Sequence, residues 1–236
     1  MSFAVRPMGL GASAPEVVGQ AEWRTSGSFD WIVPEGVTEI HAVVVAASGN
    51  QLSGLRRGGA YIFTSNTALG ATVGGGNGGP GGSGAGSFDI GGGGGGAGGY
   101  LGNGGAGESM ASNGPAPAYA GQGGGGGGGA SSRRSPGAGG GVGLKGVGAS
   151  GAAGAMNTSG GVGSVPPDTA GVGAGRPGTS IAPGGEGGNL RYTIAPLSVT
   201  PGETLIAHVA GGPGYSGGIR IMWGGGRSYP SNAGDL

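Results

Sequence analysis

The sequence predicts a mainly β protein: a small antiparallel β-sandwich built from both chain ends, with a long glycine-rich insertion packed as polyglycine II-type helices. Three observations carry that prediction. Strand-like segments are confined to residues 1–69 and 190–236, which read as the two parts of the sandwich. Between them, residues 71–190 hold 50 of the 70 glycines of the 236-residue chain. Neither flank has enough apolar surface to fold alone, because short chains bury too little of themselves.

The first part opens on an edge-strand candidate around Glu22-Trp23-Arg24. SFDWIVP at 28–34 follows, with Phe29 and Trp31 on one face and Asp30 and Ile32 on the other. EGV at 35–37 turns the chain. TEIHAVVVAA at 38–47 then changes from alternation to a continuous apolar run, as a strand covered on both faces does. GAYIFT at 59–64 supplies a third short strand.

The last part begins with LRYTIAPLSV, a strand broken at Pro196. TPGE at 200–203 has Pro then Gly at the centre of a turn, as a type II turn prefers. TLIAHVAG is a strand, and so is GGIRIMWG at 217–224, alternating Ile219, Ile221 and Trp223 against Arg220 and Met222. Trp31 and Trp223 are the predicted core anchors of the sandwich. The tail RSYPSNAGDL has no pattern that a core needs.

The zone 70–189 obeys other rules. GGGGGGAGGY at 91–100 and GQGGGGGGGA at 121–130 have no collagen register, which demands glycine at every third position. Ordering glycine costs more backbone entropy than ordering any other residue. An ordered zone therefore needs a gain that only absent side chains allow. Extended threefold tracts lying side by side meet that need, pairing N–H with C=O where nothing larger than hydrogen intervenes. The zone would then be an excursion from one end of the sandwich. Prolines such as Pro80, Pro115, Pro117, Pro136, Pro166 and Pro167 are expected where tracts reverse. A flexible linker is the alternative, but a linker has no reason to carry isolated anchors such as Phe88, Tyr100, Met110 and Tyr119.

Composition narrows the function. Formal net charge is 0, from 11 basic and 11 acidic residues. The tight basic pairs Arg56-Arg57 and Arg133-Arg134 begin no stripe, so no nucleic-acid partner is expected. Cysteine is absent, and with it thiolate nucleophiles and disulfides. No apolar run approaches the roughly 20 residues of a membrane span, and MSFAVRPMGLGASAPE lacks the apolar region of a secretory signal. His41 and His208 sit among apolar strand neighbours and read as satisfied structural histidines. Metal ligation needs further ligands at compatible spacing, and glycine-pair matches to a dinucleotide fingerprint lack the strand, helix and acid it requires. No metal, no cofactor and no enzymatic activity are expected. Binding or assembly remains. Turns joining the tracts collect at the ends of a bundle, and loops on a rigid scaffold are common recognition sites. Phe88, Tyr100, Met110 and Tyr119 are the candidate contact residues; plugging the sandwich or holding subunits together is their alternative role.

FDWIVPEGVTEIHAVVVAA resembles the opening of glycine-rich proteins of bacteriophage tails, where W-x-V-P-x-G-V precedes a Val-rich strand. YTIAPLSVTPGETLIAHVAGGPG and GGIRIMWGGGRSYPSNAGDL resemble the closing stretch of phage tail and tail-fibre proteins. The resemblance covers about 28–47 and 190–236. It implies a virion protein of the tail, made in the host cytoplasm. Related tip adhesins of T-even-like phages present stacked polyglycine II helices whose connecting loops recognise host receptors. By that resemblance the turns near Phe88, Tyr100, Met110 and Tyr119 contact an outer-membrane protein or a surface polysaccharide. Other tail, fibre or baseplate proteins, and further copies of the chain, are the implied assembly partners. Those adhesins also carry an N-terminal fibre-attachment module, for which MSFAVRPMGLGASAPE offers no counterpart; a structural baseplate or fibre component is the alternative role.

Overall fold

In the computed structural model, the apolar run at 38–47 becomes β3 (Glu39–Val45), a strand buried on both faces. Ala42 and Val44 face one hydrophobic cluster, Val43 and Val45 another. The structure describes residues 16–234 except 69, 71, 85–89, 112–113, 132–135, 156–157, 165–170, 179–182, 213 and 231.

Two antiparallel sheets join the chain's two ends. The first runs β1 (Gly19–Trp23), β12 (Gly218–Trp223), β3, β9 (Leu190–Thr193), β6 (Val73–Gly74), with β10 (Leu197–Ser198) also pairing β3. The second runs β2 (Gly27–Ile32), β11 (Thr204–Val209), β4 (Gly54–Arg57), β5 (Ala60–Thr64). Strands from the two chain ends alternate through the first sheet, and in the second β11 lies between β2 and β4, so neither sheet forms without both ends. β4 was not foreseen, because GLRR lacks the β-branched residues that mark a strand. A two-stranded hairpin, β7 (Ser109–Ala111) with β8 (Gly114–Ala116), stands apart.

The turns follow from their glycines. Gly36 has φ +81° and Val37 N donates to Pro34 O at 3.1 Å; Gly202 has φ +79° and Glu203 N donates to Thr200 O at 3.0 Å. Both are Pro-x-Gly or Pro-Gly turns that need a left-handed residue. Arg57 Nη2 locks the second turn by donating to Glu203 Oε1 at 2.9 Å. Burial opposes ionisation of that carboxyl, but the Thr200 N–H and Arg57 outweigh it and lower its pKa.

Between the sheets lie Val33, Ile40, Leu55, Phe63, Leu205, Ile219 and Ile221, among others. Phe29 and Trp31 pack against this core while Asp30 and Ile32 face solvent, as the alternation of β2 predicts. A second cluster covers the back of the first sheet: Met222, Leu190 and Tyr192 meet Ala97, Tyr100, Val142, Leu144 and Val172 from the glycine-rich zone. That zone is therefore not an excursion from one end, because it lies against a sheet face. The C-terminal tail also departs from expectation. Tyr229 and Ala233 are buried in the same cluster, since two well-placed apolar residues suffice where a face is already nearly covered.

β12 shows the consequence of double cover. Its Arg220 is fully buried and donates to Leu144 O at 3.3 Å, to Ala233 O, to Gln20 Oε1 at 2.6 Å and to Gly234 O at 2.9 Å. Its strand position forces the guanidinium inward, and the tail supplies the acceptors. Of the two histidines, His41 Nδ1 lies 3.3 Å from Thr193 Oγ1, and His208 Nδ1 lies 3.0 Å from Ser28 Oγ.

Candidate functional site: the glycine array and its two ends

The tract 91–99 sits among six others, and its bonds repeat every third residue. Gly93, Gly96 and Gly99 donate to Glu108, Gly105 and Gly102 at 3.0, 2.8 and 2.8 Å. Gly94 and Ala97 donate to Gly137 and Gly140, at 3.0 and 2.9 Å; Gly95 and Gly98 donate to Gly185 and Gly188, both at 2.9 Å. The carbonyls use three further tracts. Gly93 and Gly96 accept from Gly82 and Gly79, Gly94 and Ala97 from Gly129 and Gly126, and Gly92 and Gly95 from Gly178 and Gly175, at 2.8–2.9 Å. Rising partner numbers make the tracts at 137–140 and 185–188 parallel to the central one; falling numbers make the other four antiparallel.

Side chains would destroy this packing. A Cβ at Gly93 would stand 1.9 Å from Gly129 O, at Gly95 1.9 Å from Gly79 O, and at Gly96 2.0 Å from Gly126 O. The one alanine of the tract, Ala97, turns its methyl into the cluster on the sheet. Tyr100 follows three residues later and enters the same cluster.

At the rim, small polar side chains take up the backbone donors that face no tract. Asn103 Oδ1 accepts from Asn77 N and Asn189 Oδ1 from Gly78 N, each at 2.9 Å. Ser109 Oγ accepts from Ser83 N at 3.0 Å and Ser150 Oγ from Gly124 N at 3.1 Å. Pro80 lies within an edge tract, where its carbonyl accepts from Gly107 N at 2.9 Å. It does not mark a reversal, as expected of it; on an exposed edge its missing N–H costs nothing.

The array has two unlike ends. At the sheet end, Tyr100, Tyr192 and Tyr229 form a buried triangle with ring centroids 5.7, 5.8 and 6.1 Å apart. Tyr100 Oη donates to Gly143 O and Tyr229 Oη to Leu144 O, both at 3.2 Å. Burial raises the pKa of Tyr192 and, further, that of Tyr229. Arg191 closes the neck of the zone, donating to Gly76 O at 2.9 Å, Leu190 O at 2.8 Å and Asn77 Oδ1 at 2.7 Å; burial lowers its pKa.

At the other end, where β7 and β8 reverse the chain, Gly82, Gly93, Glu108, Gly129, Gly137, Gly178 and Gly184 lie at neighbouring bonded levels of their tracts. Met110 is here, half-buried in β7, its N–H donating to Ser83 O at 3.0 Å. Tyr119 stands on the adjoining flank, bonded through its backbone to Ala106 and Gly128, with its side chain 57% exposed. Phe88 lies outside the described residues.

Tyr100 corrects the sequence reading. It is 1% exposed and sits at the opposite end from Met110, so it offers a receptor no surface; it anchors the array. The three-residue spacing of Ala97 and Tyr100 is the signal that marks it, since residues three apart share a face of a threefold tract. Among the described residues no group of three His, Asp or Glu could hold a metal ion. No family model, no curated protein and no solved structure matches the chain.

Proposed function

We propose that this chain is a bacteriophage tail virion protein, a receptor-binding adhesin at a tail or fibre tip, whose glycine tracts pack as polyglycine II helices. The observation that carries the reading is the recurrence of bonded partners at every third residue along 93–99. A threefold extended helix has three residues per turn and no internal hydrogen bonds, so its groups point outward in three directions. Such a lattice is rigid, and the end that carries the β7–β8 reversal lies away from the tyrosine triangle. Rigidly held loops bind with little ordering cost. Met110 and Tyr119 are the contact candidates there, with a bacterial outer-membrane protein or surface polysaccharide as receptor. The phage-tail resemblance of 28–47 and 190–236 supports the location, and the two-sheet body is the part available for attachment to fibre or baseplate.

An averaged electron-microscopic map of the virion tests this. Density for the chain at a distal tip, with the reversal end outward, is the expected result. Density enclosed in the baseplate or along a shaft overturns the adhesin role and leaves a scaffold.

A further inference from the structure

A cavity of about 260 Å³ opens on the flank of the molecule, where the two-sheet body meets the array. It is lined by Ser48, Gln51, Arg176, Gly211, Gly212 and Tyr215. We propose that it binds a single carboxylate-bearing sugar unit, a uronic acid residue of an acidic polysaccharide.

The three segments that form the cavity are tied together by their own bonds. Ser48 N donates to Tyr215 O at 3.3 Å, and Arg176 N donates to Ser48 Oγ at 3.0 Å. Gly211 and Gly214 hold φ of +109° and +79°, a backbone that side chains resist, and this shapes the loop that delivers Tyr215. A Cβ at Gly212 would lie 3.8 Å from Arg176 Nη2, so the absent side chain leaves the guanidinium uncovered.

The groups that face the cavity are unspent. The Arg176 guanidinium carbon stands 5.1 Å from the centroid of the Tyr215 ring, which holds it in place. Among the described residues the guanidinium makes no hydrogen bond and no ion pair, and neither the Gln51 amide nor the Tyr215 hydroxyl has a partner. A cation without a carboxylate, fixed against a ring, suits a planar anion that accepts two parallel N–H bonds. The Gln51 amide and the Tyr215 hydroxyl both donate and accept, which matches sugar hydroxyls. Among the described residues no aliphatic side chain lines the cavity, so they offer nothing to the side chain of an apolar peptide. Its volume is below the roughly 300–1,000 Å³ of drug-sized sites, enough for one ring and not for a folded ligand.

The site is separate from the reversal end, and its test uses the isolated full chain, so failure here leaves the tail assignment untouched. Calorimetric titration with oligogalacturonate and oligoglucuronate at low salt should show saturable binding that weakens as salt rises. Neutral glucan of equal length should not bind. Arg176→Gln, at an exposed position, should keep the melting temperature and weaken binding about tenfold or more; Gln51→Ala should weaken it less. The proposal is overturned by no saturable uronate binding, or by an Arg176→Gln variant that binds as well as the parent. Inorganic phosphate or acetate competing as strongly as a uronide would reduce the site to a bare anion subsite and sink the sugar assignment.

Discussion

Trp31 of β2 and Trp223 of β12 meet across the two sheets, with ring centroids 5.4 Å apart and planes inclined by 41°. One tryptophan comes from each end of the chain, so their contact is possible only when both ends have folded together. Trp223→Ala should lower stability by about 3–5 kcal/mol, the usual cost of emptying a large aromatic site. Trp31→Ala should cost less, because Trp31 is only half-buried. Urea denaturation followed by far-ultraviolet circular dichroism measures both; unchanged midpoints would mean that the sheets do not depend on this contact.

The central tract makes a sharper demand. Gly96→Ala would place a methyl carbon 2.0 Å from Gly126 O, whereas a Cβ at Gly70 meets nothing within 4 Å. Gly96→Ala should therefore cost at least about 1–3 kcal/mol, and Gly70→Ala no more than about 0.5 kcal/mol either way. Thermal unfolding compares the two variants. Amide exchange at Gly94–Gly98 should be slow in the parent and accelerate only in Gly96→Ala. Fast exchange of those amides in the parent would instead fit a flexible linker.

The strands were legible where side chains declare a face: Phe29 and Trp31, and Ile219, Ile221 and Trp223, fell where alternation put them, and the unbroken apolar run at 42–45 fell in the strand covered on both faces. β4 was not, because Leu55 is its one strongly apolar residue and its partners on either side decide its fate. The tail was misread for the opposite reason. Tyr229 and Ala233 carry no periodic signal, yet the back of the first sheet recruits them. In the glycine zone, composition revealed that backbone rather than side chains does the packing, but glycine repeats alone cannot say which tract pairs with which. Tyr100 illustrates the limit: an isolated aromatic in a glycine run looks the same whether it plugs a core or faces a ligand. Only its three-residue offset from Ala97 distinguishes the two.

The tyrosine triangle should govern stability at high pH. Burial raises the folded-state pKa of Tyr192 and Tyr229 above the value of about 10 for a free phenol. Below that pH both states hold the proton and the full stability is present. As the pH climbs past about 10, the unfolded chain releases protons that the folded chain retains, so stability falls. Alkaline titration followed at the phenolate absorption band should show part of the six-tyrosine signal appearing only with the loss of circular dichroism. Complete ionisation before any unfolding would show that the triangle is open to water.

Arg220 should be the residue on which the tail depends. Its guanidinium is buried and reaches Ala233 O, Gly234 O, Leu144 O and Gln20 Oε1, with Glu22 Oε2 at 3.8 Å from Nε. Removing it takes the Arg220 donor from the buried Ala233 O and leaves Leu144 O to Tyr229, Gln20 Oε1 and Gly234 O to Arg227, and Glu22 to Arg24. Arg220→Met should cost about 1–3 kcal/mol, the penalty for a buried acceptor that loses its donor. Arg227 reaches Gly19 O, Gln20 Oε1 and Gly234 O from a half-buried position, so Arg227→Met should cost less. Hydrogen exchange at Tyr229, Asn232 and Ala233 tells whether the loss is local or global. In Arg220→Met those amides should exchange faster than the amides of β3, because the tail lifts before the sheets part. Equal acceleration in tail and β3 would mean that Arg220 holds the whole body together rather than the tail upon it.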